Sequence, residues 1–542
     1  MKKIQYLFAS LVISLGLASC GDSFLTQYPE GGLLLEDQYD KVPDRLAGSV
    51  RGIYSKLYEY GGGHSTFGER SIDMYTDIQS GDMAMKKSNY GWFENYERGN
   101  FYAYARSYIW SYYYEIIHLV NLCEISIEDQ KAEIFSAMAT GDASDEIKLN
   151  GYYYGQLLAL RGMAYAGLLN YYTDPHDATT TGLDSEKALP IYVGKDVAAD
   201  TLGAPLSTVT EVYTRVYDDL SDAITLIDYY SQFNNRESKL EIDADVARLL
   251  LAYAMLNHGD KTEIIAGGKN CYEIAQDLAE EVINGGKYPL LKYEELTTTG
   301  FSDVNAANWM WGEDVTVENT TALGSFFGQV DIHTYSYAWA GDTKCIDSKL
   351  YDDIVTMGWD GRKAWFRSGT EKYPYCPDGK FYNPKTKHTT AASGIDRDWL
   401  CDNIFMRVEL AYLIAAEAAW NNDNLSAAKN YLEALCNERV EDPTDATYQA
   451  WLGTLSSTDA VKDAIVYNWR VEMWGEGYSM QVLRRIQKQR TLGSNHISRG
   501  ETVLDITGAQ GEMFMCEIPT SETRYNPSLS HDTQTLQYNP ER

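Results

Sequence analysis

Apolar residues recur every three or four positions through much of this chain, and they do so in consecutive blocks separated by short turns. Leu157, Leu160, Ala164, Leu168 and Tyr171 mark one helical face. Val209, Val212, Val216, Leu220, Ile224 and Ile227 mark another. The second block opens after Pro205 with Thr208 and Glu211, the spacing of a capping box that satisfies the free amides of a first turn. Further helices are expected at 46–60, 108–125, 244–257, 271–283, 404–420, 425–436 and 460–474. Two sets are adjacent pairs. The first is joined across Gly259, Gly267 and Gly268, the second across 421–424. Ala415, Ala416, Ala418, Ala419, Ala427 and Ala428 supply small side chains where such helices would touch. A lone helix pair cannot bury its own apolar face, so pairs of this kind stack as tetratricopeptide-like scaffolds do. The fold expected is therefore mainly α, a scaffold of helical pairs carrying long irregular loop insertions at 61–100, 291–397 and 491–542. Loops of that length in a compact domain are usually functional.

The N-terminus is a leader by its pattern. Lys2 and Lys3 precede an apolar run over 4–16 that is too short to span a bilayer. Leu17, Ala18 and Ser19 then lead into Cys20, the arrangement of a bacterial lipobox whose cysteine receives the lipid. The expected division is a signal peptide at 1–19, a lipidated tether at 20–40 and one domain over 41–542, with an N-terminal part at 41–230 and a C-terminal part at 244–542. Acyl chains on Cys20 would hold the chain at a membrane, each buried methylene contributing about 0.8 kcal/mol. Seven cysteines remain, an odd number, and none forms a Cys-x-x-Cys pair of the kind zinc ribbons use. Cys376 and Cys401 lie in the same irregular region and are a candidate disulfide that the sequence leaves open.

The formal net charge is −32. A surface that acidic repels phosphate backbones and excludes nucleic acid as a partner. It also disfavours polyanionic glycans unless a local basic patch overrules it. The catalytic inventory is thin, with no Gly-x-Ser-x-Gly elbow and no His-Glu-x-x-His helix. Gly268-Lys269-Asn270 lacks the Ser or Thr of a phosphate-binding loop. His333 lies near aromatic residues but reads as a loop residue. So many acids leave a structural calcium ion open, but no loop has calcium spacing, and no cofactor is expected.

What the loops do offer is aromatic planes beside polar side chains, the mixture that grips a sugar's C–H face and its hydroxyls. One set is Asp73, Asp77, Gln79, Asp82, Trp92, Asn95 and Tyr96; the other is Trp309, Trp311, Tyr335, Tyr337 and Trp339. Rings in such loops either stack on ligand or pin the loop, and Trp92 and Trp339 are the preferred stacking residues.

Five segments in order resemble the RagB/SusD family. They are Ser19-Cys20-Gly21-Asp22-Ser23-Phe24-Leu25 with Pro29; Ala159-Leu160-Arg161 with Leu189-Pro190-Ile191; the run from Arg407 through Glu409 to Glu417 and Ala418; Arg470-Val471-Glu472-Met473-Trp474-Gly475-Glu476-Gly477 with Leu483-Arg484-Arg485; and Glu517-Ile518-Pro519 with Asn526-Pro527, closing on Gln537-Tyr538-Asn539-Pro540. Tyr478-Ser479 and the Tyr538-Asn539-Pro540 ending depart from the family's usual pattern. Arg407, Glu409, Glu417, Arg470 and Glu472 suggest an active site at first sight, but charges on otherwise apolar helices read better as buried pairs that lock helix stacking. The resemblance implies a non-enzymatic lipoprotein on the cell-surface side of the outer membrane, anchored through Cys20. It would bind oligosaccharides and pass them to a SusC-like TonB-dependent barrel transporter. Peptide cargo on the same fold is the alternative, and a glycoside hydrolase a distant one.

Overall fold

In the computed structural model the described residues are 45–59, 62–97, 103–173, 187–194, 203–234, 238–264, 268–298, 300–316, 318–320, 322–382, 399–497, 502–507 and 516–529. The leader, Cys20 and the closing 537–540 segment lie outside them.

The architecture is mainly helical. The helix Asp145–Tyr172 packs against Ala103–Ile125 on one side and Val209–Tyr230 on another. The stack continues through Ala244–His258, Cys271–Gly285, Glu409–Asn421 and Leu425–Asn437, each packed on its predecessor, with Thr458–Glu472 lying across the last two. The capping box at Thr208–Glu211 is present, and Asn270 with Glu273 forms a second one. Both adjacent pairs expected from the sequence are formed.

Glycines decide how closely the longest helices approach. Gly155 and Gly162 lie against the Val209–Tyr230 helix, where an added Cβ would stand 2.7 Å from Ile227 and 2.7 Å from Leu220. Gly151 faces the Tyr230 ring in the same way. Positions 151, 155 and 162 share one helix face, so their missing side chains let two backbones meet along a seam.

Two corrections follow from the structure. The 404–420 segment is not one helix: Asn403–Arg407 is a strand paired with Trp309–Glu313, and the helix begins at Glu409. A short apolar run fits either period, and here the strand partner decides. The 61–100 stretch is not irregular throughout, because Glu69–Ser80 is a helix. Its Arg70, Ser71, Thr76, Asp77, Gln79 and Ser80 are buried along with its apolar residues, so its polar sequence hides an interior element. Four two-stranded antiparallel ribbons stand among the described residues, and no described helix is long and apolar enough to cross a membrane.

The charged motif residues meet in the interior. Arg362, Arg407, Arg439 and Lys380 face Asp360, Glu409, Glu472 and Glu476, one positive group for each negative one. Glu472 is the hub, receiving Arg407 at 2.6 Å, Arg439 at 2.7 Å and Arg362 at 3.1 Å. Burial alone would raise its pKa, but the Arg439 and Arg407 charges hold it well below the usual carboxylate range. Glu417 pairs with Arg485 at 2.8 Å, and Arg470 with Asp82 at 2.6 Å. Arg161 binds Asp219 at 2.7 Å and also reaches Asn121 and Glu124, tying three helices together. These groups fasten elements far apart in sequence, as the stacking argument required.

A smaller clamp joins the chain's C-terminal third to its first loop. His496 stands 2.6 Å from Glu97 and 3.0 Å from Asp347. Burial disfavours its charge, but hydrogen bonds to Asp347 and Glu97 outweigh this and raise its pKa to about 9. A base whose folded pKa lies above its unfolded value of about 6.5 stabilises fully below that value and loses the contribution as pH rises through about 9. Urea unfolding at pH 6 and pH 10 is therefore expected to show the advantage of wild type over His496→Gln shrinking at the higher pH. An advantage that stays constant would contradict the clamp.

Candidate ligand-binding surface

Exposed aromatic rings collect where three loops meet. The ribbon of Met83–Ala84 with Cys345–Ile346 fixes the roots of two of them. Beyond Ala84 the chain turns through Asn89 and Tyr90, whose backbone amides both donate to the carboxylate of Asp342, the Tyr90 bond at 3.0 Å. Asn89 Nδ2 adds a bond to the Ala340 carbonyl at 3.0 Å. Asp342 is itself fully buried, and its backbone amide donates to the Tyr337 carbonyl at 2.8 Å. One carboxylate thus fastens the 85–92 turn to the 331–342 loop. Asp331 orders the other end of that loop by accepting from the His333 and Thr334 amides and from the Trp399 indole.

On this support His64, Tyr90, Trp92 and Tyr337 form one cluster. The Trp92 ring lies 5.0 Å from His64 at a tilt of 32°, and Tyr90 meets Tyr337 edge-on at 5.2 Å. The Tyr337 hydroxyl is 2.8 Å from His64 Nδ1 and also meets the Trp92 side chain. Burial raises the pKa of that hydroxyl, so it stays protonated and can serve as a donor. Tyr90 is 51% exposed and Trp92 half-buried, whereas Tyr337 is 8% exposed and acts as their backing. A second pair, Tyr335 and Trp339, meets edge-on at 5.6 Å in the same loop, with Tyr335 37% exposed. The Trp339 carbonyl accepts from the Tyr373 hydroxyl at 3.1 Å, which draws in the third loop. Polar groups beside aromatic faces suit a hydroxylated ligand with flat apolar patches.

The remaining expected site residues go elsewhere. Trp309 and Trp311 are core residues at 0% and 3% exposure, because both stand in the Trp309–Glu313 strand under the helices. Their indole nitrogens donate to the Gly300 and Leu240 carbonyls. Asp77 is buried and accepts from the Gly475 amide at 2.6 Å; burial, reinforced by Asp82, raises its pKa to about 7. Asp82 is engaged by Arg470 and Arg490, and Gln79 is buried. Asp73 pairs with Arg70 at 2.7 Å and lines a cavity of about 130 Å³ with Glu69, Tyr113, Tyr171 and Glu476. Asp73, Asp77 and Gln79 belong to the buried Glu69–Ser80 helix, and Asp82 stands just past its end, before the Met83–Ala84 strand. Asn95 is half-buried on the short Glu94–Glu97 helix after Trp92. Tyr96 is on the same helix, its side chain outside the described residues.

The sequence reading missed His64, Tyr90 and Tyr373. Gly62-Gly63 before His64 and Gly91 after Tyr90 are turn signals that would have found the first two. Among the described residues, no three His, Cys, Asp or Glu side chains are grouped to hold a metal ion.

Residues 49–251 match a family model described as "Starch-binding associating with outer membrane". No curated protein sequence matches the chain. Solved structures do. A SusD-like carbohydrate binding protein from Bacteroides vulgatus superposes with a TM-score of 0.67 at 21% identity, covering 91% of this chain and 98% of that one. A SusD superfamily protein from Bacteroides thetaiotaomicron gives 0.65 at 19%, covering 90% and 99%. A protein from Bacteroides vulgatus described as a putative sugar binding protein gives 0.65 at 22%, covering 90% and 98%.

Proposed function

We propose that this SusD/RagB-like protein captures oligosaccharides on the surface built from His64, Tyr90, Trp92, Tyr335, Tyr337 and Trp339, and delivers them to a TonB-dependent barrel transporter beside it. It does so as a binding protein without chemistry of its own, held at the outer face of the outer membrane by lipid on Cys20. The observation that carries the reading is the half-open ring cluster around Tyr337, held by buried Asp342 and Asp331 and not by the rings themselves. Rings needed only to pin a loop would not also be presented to solvent on a loop already pinned. Tethering beside a transporter raises local concentration, so modest affinity is enough for transfer.

A glycan array probed with the soluble chain, followed by calorimetry, tests the cargo. Binding to at least one oligosaccharide class is expected, with the sugar recovered unhydrolysed. Binding to peptides alone would replace the cargo with the peptide alternative, and released shorter sugars would restore an enzymatic reading. Co-purification of a barrel protein from outer membranes tests the partner.

A further inference from the structure

Two of the described cysteines are set against each other directly beneath the aromatic loops. The Ile346 amide donates to the Tyr375 carbonyl at 3.0 Å. Cys345 and Cys376 are the sequence neighbours of that bonded pair, and the two share one small buried cluster. The two thiols lie beside one another, and the Cys345 thiol donates to the Ala84 carbonyl at 3.2 Å. Both are buried, at 1% and 0% exposure, in a small apolar cluster with Ala84, Ile332 and Ala338. Cys401, the partner suggested by sequence proximity, instead belongs to the main core. Cys345 and Cys376 themselves stand as two thiols in the structure.

We propose that Cys345 and Cys376 are a disulfide site, closed in the exported protein, that ties the 367–377 loop to the ribbon supporting the ligand surface. The inference rests on the export reading of the leader, since oxidising compartments are where such bonds persist. Closure is a thiol–disulfide exchange with a protein disulfide of the export compartment. The two cysteine thiols give up two protons and two electrons, one S–S bond forms, and the oxidant's S–S bond is reduced to two thiols. Because both thiols are buried in the finished fold, exchange takes place while the chain is still folding. The consequence is local. Tyr373, which holds the Trp339 carbonyl, lies three residues from Cys376, and Ala338 of the same cluster separates Tyr337 from Trp339.

Full-length protein purified from outer membranes, alkylated under denaturing conditions without reductant and digested, is expected to yield a linked peptide pair containing Cys345 and Cys376. Cys436 in the same sample is expected to carry the alkyl group. Reduction is expected to lower the Tm by about 3 °C in wild type and to leave the Cys345→Ser, Cys376→Ser double variant unmoved. Recovery of both cysteines alkylated, in protein whose Cys20 peptide is lipidated, would overturn the disulfide while sparing the export reading. If the leader is instead found uncleaved, the export reading fails, and the pairing is read from reduced protein refolded in a glutathione redox buffer. Two free thiols after that treatment would overturn the inference as well.

Discussion

Glu472→Ala is expected to cost about 3–5 kcal/mol of folding stability, the price of breaking a buried ion pair by removing one partner. The carboxylate accepts from Arg362, Arg407 and Arg439, and all four residues are fully buried. Without it three guanidiniums and Lys380 share only Asp360, Glu409 and Glu476 in a buried site. Domains are stable by about 5–15 kcal/mol, so such a loss would be a large fraction of the total. Urea unfolding followed by tryptophan fluorescence reads it as a lower midpoint. Glu472→Gln, which keeps the shape and loses the charge, is expected to fall between the two. A midpoint shift equivalent to less than about 1 kcal/mol, the range of an exposed pair, would show that the cluster does not hold the helices together.

Trp92→Ala is expected to weaken oligosaccharide binding by about 2 kcal/mol, roughly 30-fold, as loss of a central aromatic contact does. Its Tm should change little, since Asp342 and not Trp92 holds the 85–92 turn. Trp339→Ala is expected to weaken binding less, because the exposed Tyr335 beside it stays in place. Trp309→Ala is the contrasting control: it empties a fully buried site and should lower stability by about 3–5 kcal/mol. Calorimetry against the ligand found on the array, paired with thermal melts, separates the two behaviours. Unchanged affinity in both Trp92→Ala and Trp339→Ala would remove this surface as the binding site.

Helix after helix was legible because its signal is local. Thr208 and Glu211 name their own capping box, and Val212, Val216 and Leu220 name their own buried face. The ionic role of Arg407 and Glu472 was legible too, since a charge on an apolar face must find a partner. Its geometry was not, because Arg362 and Arg439 enter from distant segments. The Glu69–Ser80 helix escaped because its apolar set, Ile72, Met74, Tyr75 and Ile78, is short and stands among polar residues that read as a loop although they are buried. The same blindness placed Asp73 and Asp77 in a loop, and Trp309 and Trp311 were read as loop rings independently of them. Composition marks an aromatic residue as suited to sugar, but only the pairing of Trp309–Glu313 with Asn403–Arg407 reveals which tryptophans face inward.

The Asp342 carboxylate bonds to amides two hundred and fifty residues upstream, and that bears on how cargo is selected. A grip whose jaws are welded in advance spends little conformational entropy at capture, so free and loaded forms should superpose closely there. Such a grip would discriminate by fit and shed its cargo without first having to melt, which is what the proposed onward transfer requires.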